Sequence, residues 1–262
     1  MKRLLTLTVF LCALQAQASE WIKSSEIEEL FKAAHVQGTF VLYDVEADQF
    51  VGYDRIRAET RFVPASTYKI PNTLIGLSVG AVDNVDEVLP YGGQHQPFKA
   101  WEKDMGLRDA IAISNVPIYQ ELARRIGPER MREGVSKIGY GNQDIGPNTS
   151  IGTFWLVGPL KISALEQTKF LAKLAKETLP LPQDQQKKVR EIITLEQGDN
   201  WKLYGKTGWE NVPGAGIGWW VGWVEKDNRI YPFALNIDIR EASDAAKRLE
   251  LGKASLKALK IL

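Results

Sequence analysis

The stretch VPASTYKIPNTLIG, Val63 to Gly76, sets Ser66 and Lys69 three residues apart where an extended segment ending at Pro64 turns into an apolar helix. Residues i and i+3 share a helix face, about 5–6 Å apart at Cβ. Ser66 therefore falls at the helix entry, among the free N–H groups of the first turn. Lys69 sits one turn further on. A hydroxyl beside an amine in that geometry suits a nucleophile and its proton acceptor. Two residues alone are a common coincidence, so the rest of the chain must decide. Pro71 falls inside the same helix and predicts a kink or an irregular first turn.

With 262 residues, the chain is long enough for one large core or two lobes around a cleft. Its formal net charge is +1 and no Lys/Arg run stands out, which argues against a nucleic-acid partner. Residues 1–18 read as a secretory leader: two cations, an apolar run from Leu4 to Leu14, and Ala16-Gln17-Ala18 as a cleavage site. Cleavage would remove Lys2, Arg3 and Cys12, taking the net charge from +1 to −1 and leaving no cysteine. The expected location is the periplasm, with no membrane attachment after leader cleavage. A cysteine nucleophile is then excluded. The two histidines, His35 and His95, lack zinc-hydrolase spacing and stand near no G-x-S-x-G elbow. If the chain is a hydrolase, its base is not expected to be histidine.

Apolar spacing predicts an amphipathic helix over about 24–34, and GTFVLYD (Gly38–Asp44) with QFVGYD (Gln49–Asp54) predicts a β-hairpin. The middle of the chain reads as helices over 107–114, 116–127, 128–139, 163–176 and 183–193. LYGKTG, GWWVGWVE and YPFALNIDI read as strands, and a last helix is predicted over 244–260. The expected fold class is α/β (α+β): one antiparallel sheet built from both chain ends, flanked by helices, with an all-helical lobe. The sheet lobe would take about 19–65 and 195–262 and the helical lobe about 66–194, as a single catalytic domain.

Further short signals carry chemistry. Lys206-Thr207-Gly208 on a predicted strand offers a charge, a donor and close backbone access to a carboxylate-bearing substrate lying along the strand edge. Gly208 would let the acyl group approach the backbone. Ser114, in ISNVP, sits between helices, where a helix cap is the simpler reading. Tyr140-Gly141-Asn142 reads as a tight turn.

In combination, S-x-x-K, a serine between helices and K-T-G on a late strand follow the order of the penicillin-recognising serine enzymes. With PASTYKIPN around Ser66, Ser114-Asn115-Val116, Tyr140-Gly141-Asn142, FWLVGPLKISA around Trp155, Lys206-Thr207-Gly208 and GWWVGWV, the chain resembles the class D, oxacillinase-type serine β-lactamases over essentially its whole mature length. Val116 in third place of the second motif is the class D form. No E-x-x-L-N segment supplies a class A base, and Glu166 reads as a solvated helix residue.

The resemblance implies a penicillin-recognising, transpeptidase-like fold and β-lactam hydrolysis (EC 3.5.2.6). Ser66 would form the acyl-enzyme. Lys69 would react as a neutral amine with CO₂ to give N6-carboxylysine, the base for acylation and deacylation. No metal or organic cofactor is implied beyond that CO₂. Val116 and Leu156 would wall the carbamate, and the Trp155 indole would hydrogen-bond it. Ser114 would pass a proton to the lactam nitrogen, with Lys206 setting the field around it. Thr207, Gly208, Trp209 and Arg248 would bind substrate, and the N–H groups of Ser66 and Trp209 would form the oxyanion hole. Arg240 and Lys247 compete with Arg248 for the carboxylate. Tyr140 and Asn142 would be structural. The segment Trp209–Gly218 would border the site. Expected partners are small β-lactams, with no nucleic acid and a monomeric or homodimeric state. A D,D-peptidase or a non-hydrolytic β-lactam sensor shares the three motifs. Val116 and Trp155 argue against the first, and the lack of several membrane spans against the second.

Overall fold

The computed structural model describes residues 19–210 and 216–262. The leader and most of the loop after Trp209 lie outside the described residues. A seven-stranded sheet is ordered β1-β3-β2-β7-β6-β5-β4. Its strands are β1 (Glu20–Lys23), β2 (Gly38–Asp44), β3 (Gln49–Tyr53), β4 (Thr194–Gln197), β5 (Trp201–Trp209), β6 (Gly216–Lys226) and β7 (Arg229–Ile239). Both chain ends contribute, as expected. The sheet is not wholly antiparallel, because β1 runs parallel to β3.

β6 and β7 meet through Asp227 and Asn228, both at positive φ, the backbone that a two-residue hairpin of right-handed twist requires. Their side chains alternate between two cores. Trp219, Val221, Trp223 and Ala234 face one; Trp220, Val224, Phe233 and Leu235 face the other. Burial on both sides explains why GWWVGWV is nearly continuous in apolar residues.

On one face lie α1 (Ser25–Ala33) and α9 (Asp244–Ala258). On the other lie α3 (Lys69–Ser78), α4 (Leu107–Ala112), α5 (Val116–Ile126), α6 (Pro128–Ile138), α7 (Ala164–Ala175) and α8 (Gln183–Ile192). The short α2 (Arg55–Glu59), missed in the sequence, is capped by Asp54, whose side chain accepts from Arg57 N at 3.0 Å. The segment 66–194 is not all one lobe: α7 packs directly on β2, β6 and β7. Glu166 is not simply solvated either. It closes the capping box of α7 with Ser163 and is paired with Arg61.

Candidate active site

Ser66 lies in a 3₁₀ turn, Ala65–Tyr68, that runs directly into α3. This is the irregular first turn that Pro71 required, placed where its missing N–H disrupts no established helix. Ala65 is held at φ +48° just before the serine, a conformation costing about 1–3 kcal/mol that persists only when neighbours impose it. The neighbours are visible. Thr67 N and Oγ1 both donate to Pro64 O, at 3.2 and 2.7 Å. Gln167 Nε2 donates to Thr67 Oγ1 at 3.0 Å and to Tyr140 Oη at 3.1 Å. Tyr140 is thus a support beneath the nucleophile turn. Gln167 and Thr67 had no recognisable sequence signal.

Lys69 Nζ donates to Ser66 Oγ at 2.9 Å. Lys69 is fully buried, with its Nζ 5.2 Å from the ring centre of Tyr119. Burial, and then the charge of Lys206, hold its pKa well below the ordinary lysine value. Burial, then Arg248, brings Lys206 down to about 7. Burial also lowers Arg248. Among the described residues none of these three cations has an ion-pair partner. The site therefore favours a neutral Lys69 and an anionic guest.

Trp155 stacks on Tyr68 with ring centres 5.5 Å apart, and its buried Nε1 has no acceptor among the described residues. The loop carrying it is tied down by Asn142, which donates to Pro159 O at 2.8 Å and accepts from Lys161 N at 2.9 Å. Gly141 is required there. Its φ is +56°, and a Cβ would stand 2.1 Å from Lys161 O.

Gly208 has a structural reason beside the one read in the sequence. A Cβ on it would lie 2.9 Å from Pro64 O and 3.0 Å from Thr67 Cγ2, so the glycine lets β5 close onto the serine turn. Gly205 N donates to Ile193 O, and Glu210 N to Ile217 O, each at 2.9 Å. Alternation along β5 then turns the N–H groups of Thr207 and Trp209 away from β6, toward the open edge. β4 covers that edge only as far as Tyr204.

Ser66, Ser114, Val116, Leu156, Thr207, Gly208, Trp209 and Arg248 line one cavity of about 560 Å³. Phe98, Trp101, Ile113 and Val157 complete it with an apolar rim not foreseen from the sequence. Arg248 donates to Gly208 O at 2.6 Å. Arg240 lines a separate cavity beside His35, and Lys247 pairs with Asp244, whereas Arg248 lines the cavity that holds Ser66. Lys206 Nζ bonds to Thr207 O and Oγ1 at 3.1 and 3.4 Å, and no hydrogen bond joins it to Ser114 among the described residues.

The penicillin-binding protein transpeptidase domain family matches residues 38–257. β-Lactamase OXA-5 of Pseudomonas aeruginosa is 41% identical over 221 residues, 83% of this chain and 82% of that protein. β-Lactamase OXA-48 of Klebsiella pneumoniae is 37% identical over 258 residues, 97% of each. The crystal structure of FUS-1 (OXA-85), a class D β-lactamase from Fusobacterium nucleatum subsp. polymorphum, matches with TM-score 0.88 and 44% identity, over 92% of this chain and all of that one. The chain belongs to the class D β-lactamases. In this class D chain residues of the three motifs line one cleft between the β5 edge and the helices. Among the described residues no helix is long and apolar enough to cross a membrane.

Proposed function

We propose that this class D enzyme hydrolyses β-lactams through a Ser66 acyl-enzyme, with N-carboxylated Lys69 as the general base in both half-reactions. The observation that carries the reading is a buried lysine, its pKa held down by burial and by Lys206, together with a buried indole donor, Trp155 Nε1, that has no acceptor among the described residues. A neutral amine is the form that reacts with CO₂, and an orphaned buried donor fits an added carboxylate. When present, that carboxylate supplies a proton acceptor that an ammonium group cannot.

The chain's own residues do the rest. Arg248 and Thr207 hold the substrate carboxylate at the mouth. The N–H groups of Ser66 and Trp209 face the carbonyl oxygen as it gains charge. Ser66 Oγ loses its proton and bonds to the carbonyl carbon. Ser114 delivers a proton to the lactam nitrogen as its bond to carbon breaks. Val116 and Leu156 limit water near Lys69. Export to the periplasm, with residues 1–18 as leader, is part of the proposal; sequencing the amino terminus of enzyme recovered from the periplasm checks it.

The test is turnover of a chromogenic cephalosporin with and without bicarbonate. The account expects CO₂-depleted enzyme to lose steady-state turnover and recover it on addition of bicarbonate. Equal rates in both conditions would refute the base assignment.

A further inference from the structure

The segment 90–104 is a loop closed at its base, where Leu89 and Met105 exchange backbone hydrogen bonds at 3.1 and 3.2 Å. It is stapled inside as well. Asp104 Oδ1 accepts from Tyr91 N at 3.0 Å, and the Glu102 carboxylate accepts from Gln96 N at 3.2 Å and pairs with Lys99 and His95. Its tip is a 3₁₀ turn, Lys99–Trp101, with the rings of Phe98 and Trp101 edge to face at 4.8 Å on the cavity rim.

Trp101 does more than line the rim. Its indole Nε1 donates to Ile113 O at 3.1 Å, and its own carbonyl accepts from Asn115 Nδ2 at 3.3 Å. These are the two residues flanking Ser114, which is itself held at φ +59°. Asn115 is fully buried, and its other side-chain atom accepts from Ile118 N at 3.2 Å to cap α5, so it has little freedom to turn away. A non-glycine residue in that conformation persists only where its surroundings impose it. The end of α4 closes that turn locally, Ser114 N donating to Ile111 O at 3.2 Å and Asn115 N to Ala110 O at 2.8 Å, and Trp101, from a separate loop, ties both flanking residues to the cavity rim.

We infer that Trp101 is a positioning residue for Ser114, and that the loop forming the cavity rim is thereby coupled to proton delivery at the leaving nitrogen. The inference rests on the β-lactam hydrolysis proposed above. In acylation the Ser66 Oγ–carbon bond forms and the carbon–nitrogen bond breaks, leaving its electron pair on nitrogen. The proton taken from Ser66 by the base is returned, through Ser114, to that nitrogen. Ser114 must therefore be aligned for cleavage of an amide. It is dispensable for an ester whose leaving group departs as a stable anion.

The test compares Trp101→Phe with wild type on two substrates: a penicillin, and an acyclic ester bearing the same acylamino side chain and carboxylate with a nitrophenolate leaving group. Phe keeps an aromatic ring on the rim, though a smaller one, and removes the indole N–H; the ester, which carries the same side chain, reports any loss of rim contact. Pre-steady-state acylation of the penicillin should fall roughly 10- to 100-fold, on the scale by which small misplacements slow oriented reactions, while acylation by the ester stays within about twofold. In a Ser114→Ala background the same substitution should add no further loss. Equal losses on both substrates, losses that multiply with Ser114→Ala, or no loss on either substrate would each overturn the inference. Wild type that fails to turn over the penicillin would instead overturn the functional reading beneath it. Asn115→Ala, which removes the second tie, gives an independent check. The inference expects it to depress penicillin acylation more than ester acylation, and equal depression would contradict it.

Discussion

Trp155 and Ser66 carry the sharpest expectations at the level of single residues. Trp155→Phe keeps a ring against Tyr68 and loses the indole donor. A hydrogen bond to a charged partner is worth about 1.5–3 kcal/mol, roughly 10- to 150-fold. The variant should still acylate, deacylate slowly, and accumulate acyl-enzyme visible by intact-protein mass spectrometry. Rapid turnover without accumulation would show that the orphaned indole serves packing alone. Ser66→Ala should take up no penicillin mass; an adduct elsewhere would move the nucleophile. Arg248→Ala should raise KM more than it lowers kcat, because an anchor used in both ground and transition states is uniform binding. A normal KM there, with a raised KM in Arg240→Ala, would mean that the wrong arginine faces the substrate. Ser66, Lys69 and Lys206 were legible because motif spacing marks them. Gln167, Thr67 and Tyr119 were not, since what gives them a role is contact across 46 to 100 residues of chain.

Strand β5 decides the site at the level of elements. Its Gly208 separates the strand from Pro64 O and Thr67 by less than a methyl group would need. Gly208→Ala should push β5 from the serine turn and move the Trp209 N–H relative to Ser66. Loss of one oxyanion donor costs on the order of 100- to 1,000-fold in kcat, whereas overpacking costs about 1–3 kcal/mol in stability. A folded but nearly inactive variant is expected, checked by kinetics beside thermal unfolding. Full activity would mean that the strand has room to spare. The long elements were readable from apolar period: β5 to β7, the β2–β3 hairpin, and α5 to α9 within a few residues. β1 and β4 were not, because each is a four-residue edge strand with mostly exposed side chains and so lacks a buried face to leave a pattern. Nor could any local signal reveal that β1 runs parallel to β3, since that pairing joins residues 29 apart.

Among the described residues Lys69 and Lys206 are buried, and Arg248 half-buried, without an acid partner, a cost carried by the whole molecule. Lys206 titrates at about 7 when folded, against 10.5 ordinarily. Below about 7 it is charged in both states and the full burial cost is present; between about 7 and 10.5 the unfolded chain holds the proton and the folded chain does not. Stability should therefore rise with pH across that window, by about 5 kcal/mol from this group alone. Lys206→Met should flatten the rise and stabilise the fold at neutral pH while abolishing activity, as urea unfolding from pH 6 to 10 would reveal. A parallel curve for the variant would mean that Lys206 is not the titrating group. Lys69 acts in the same direction, and a lowered pKa is what the proposed reaction with CO₂ requires of it. Carboxylation of Lys69 is thus the central claim, and ¹³C NMR of enzyme equilibrated with ¹³C-bicarbonate tests it most directly. The account predicts a single carbamate resonance, absent in Lys69→Ala, that fades on mild acidification in step with activity. Active enzyme that shows no such resonance, and turns over at full rate after CO₂ is removed, would contradict it.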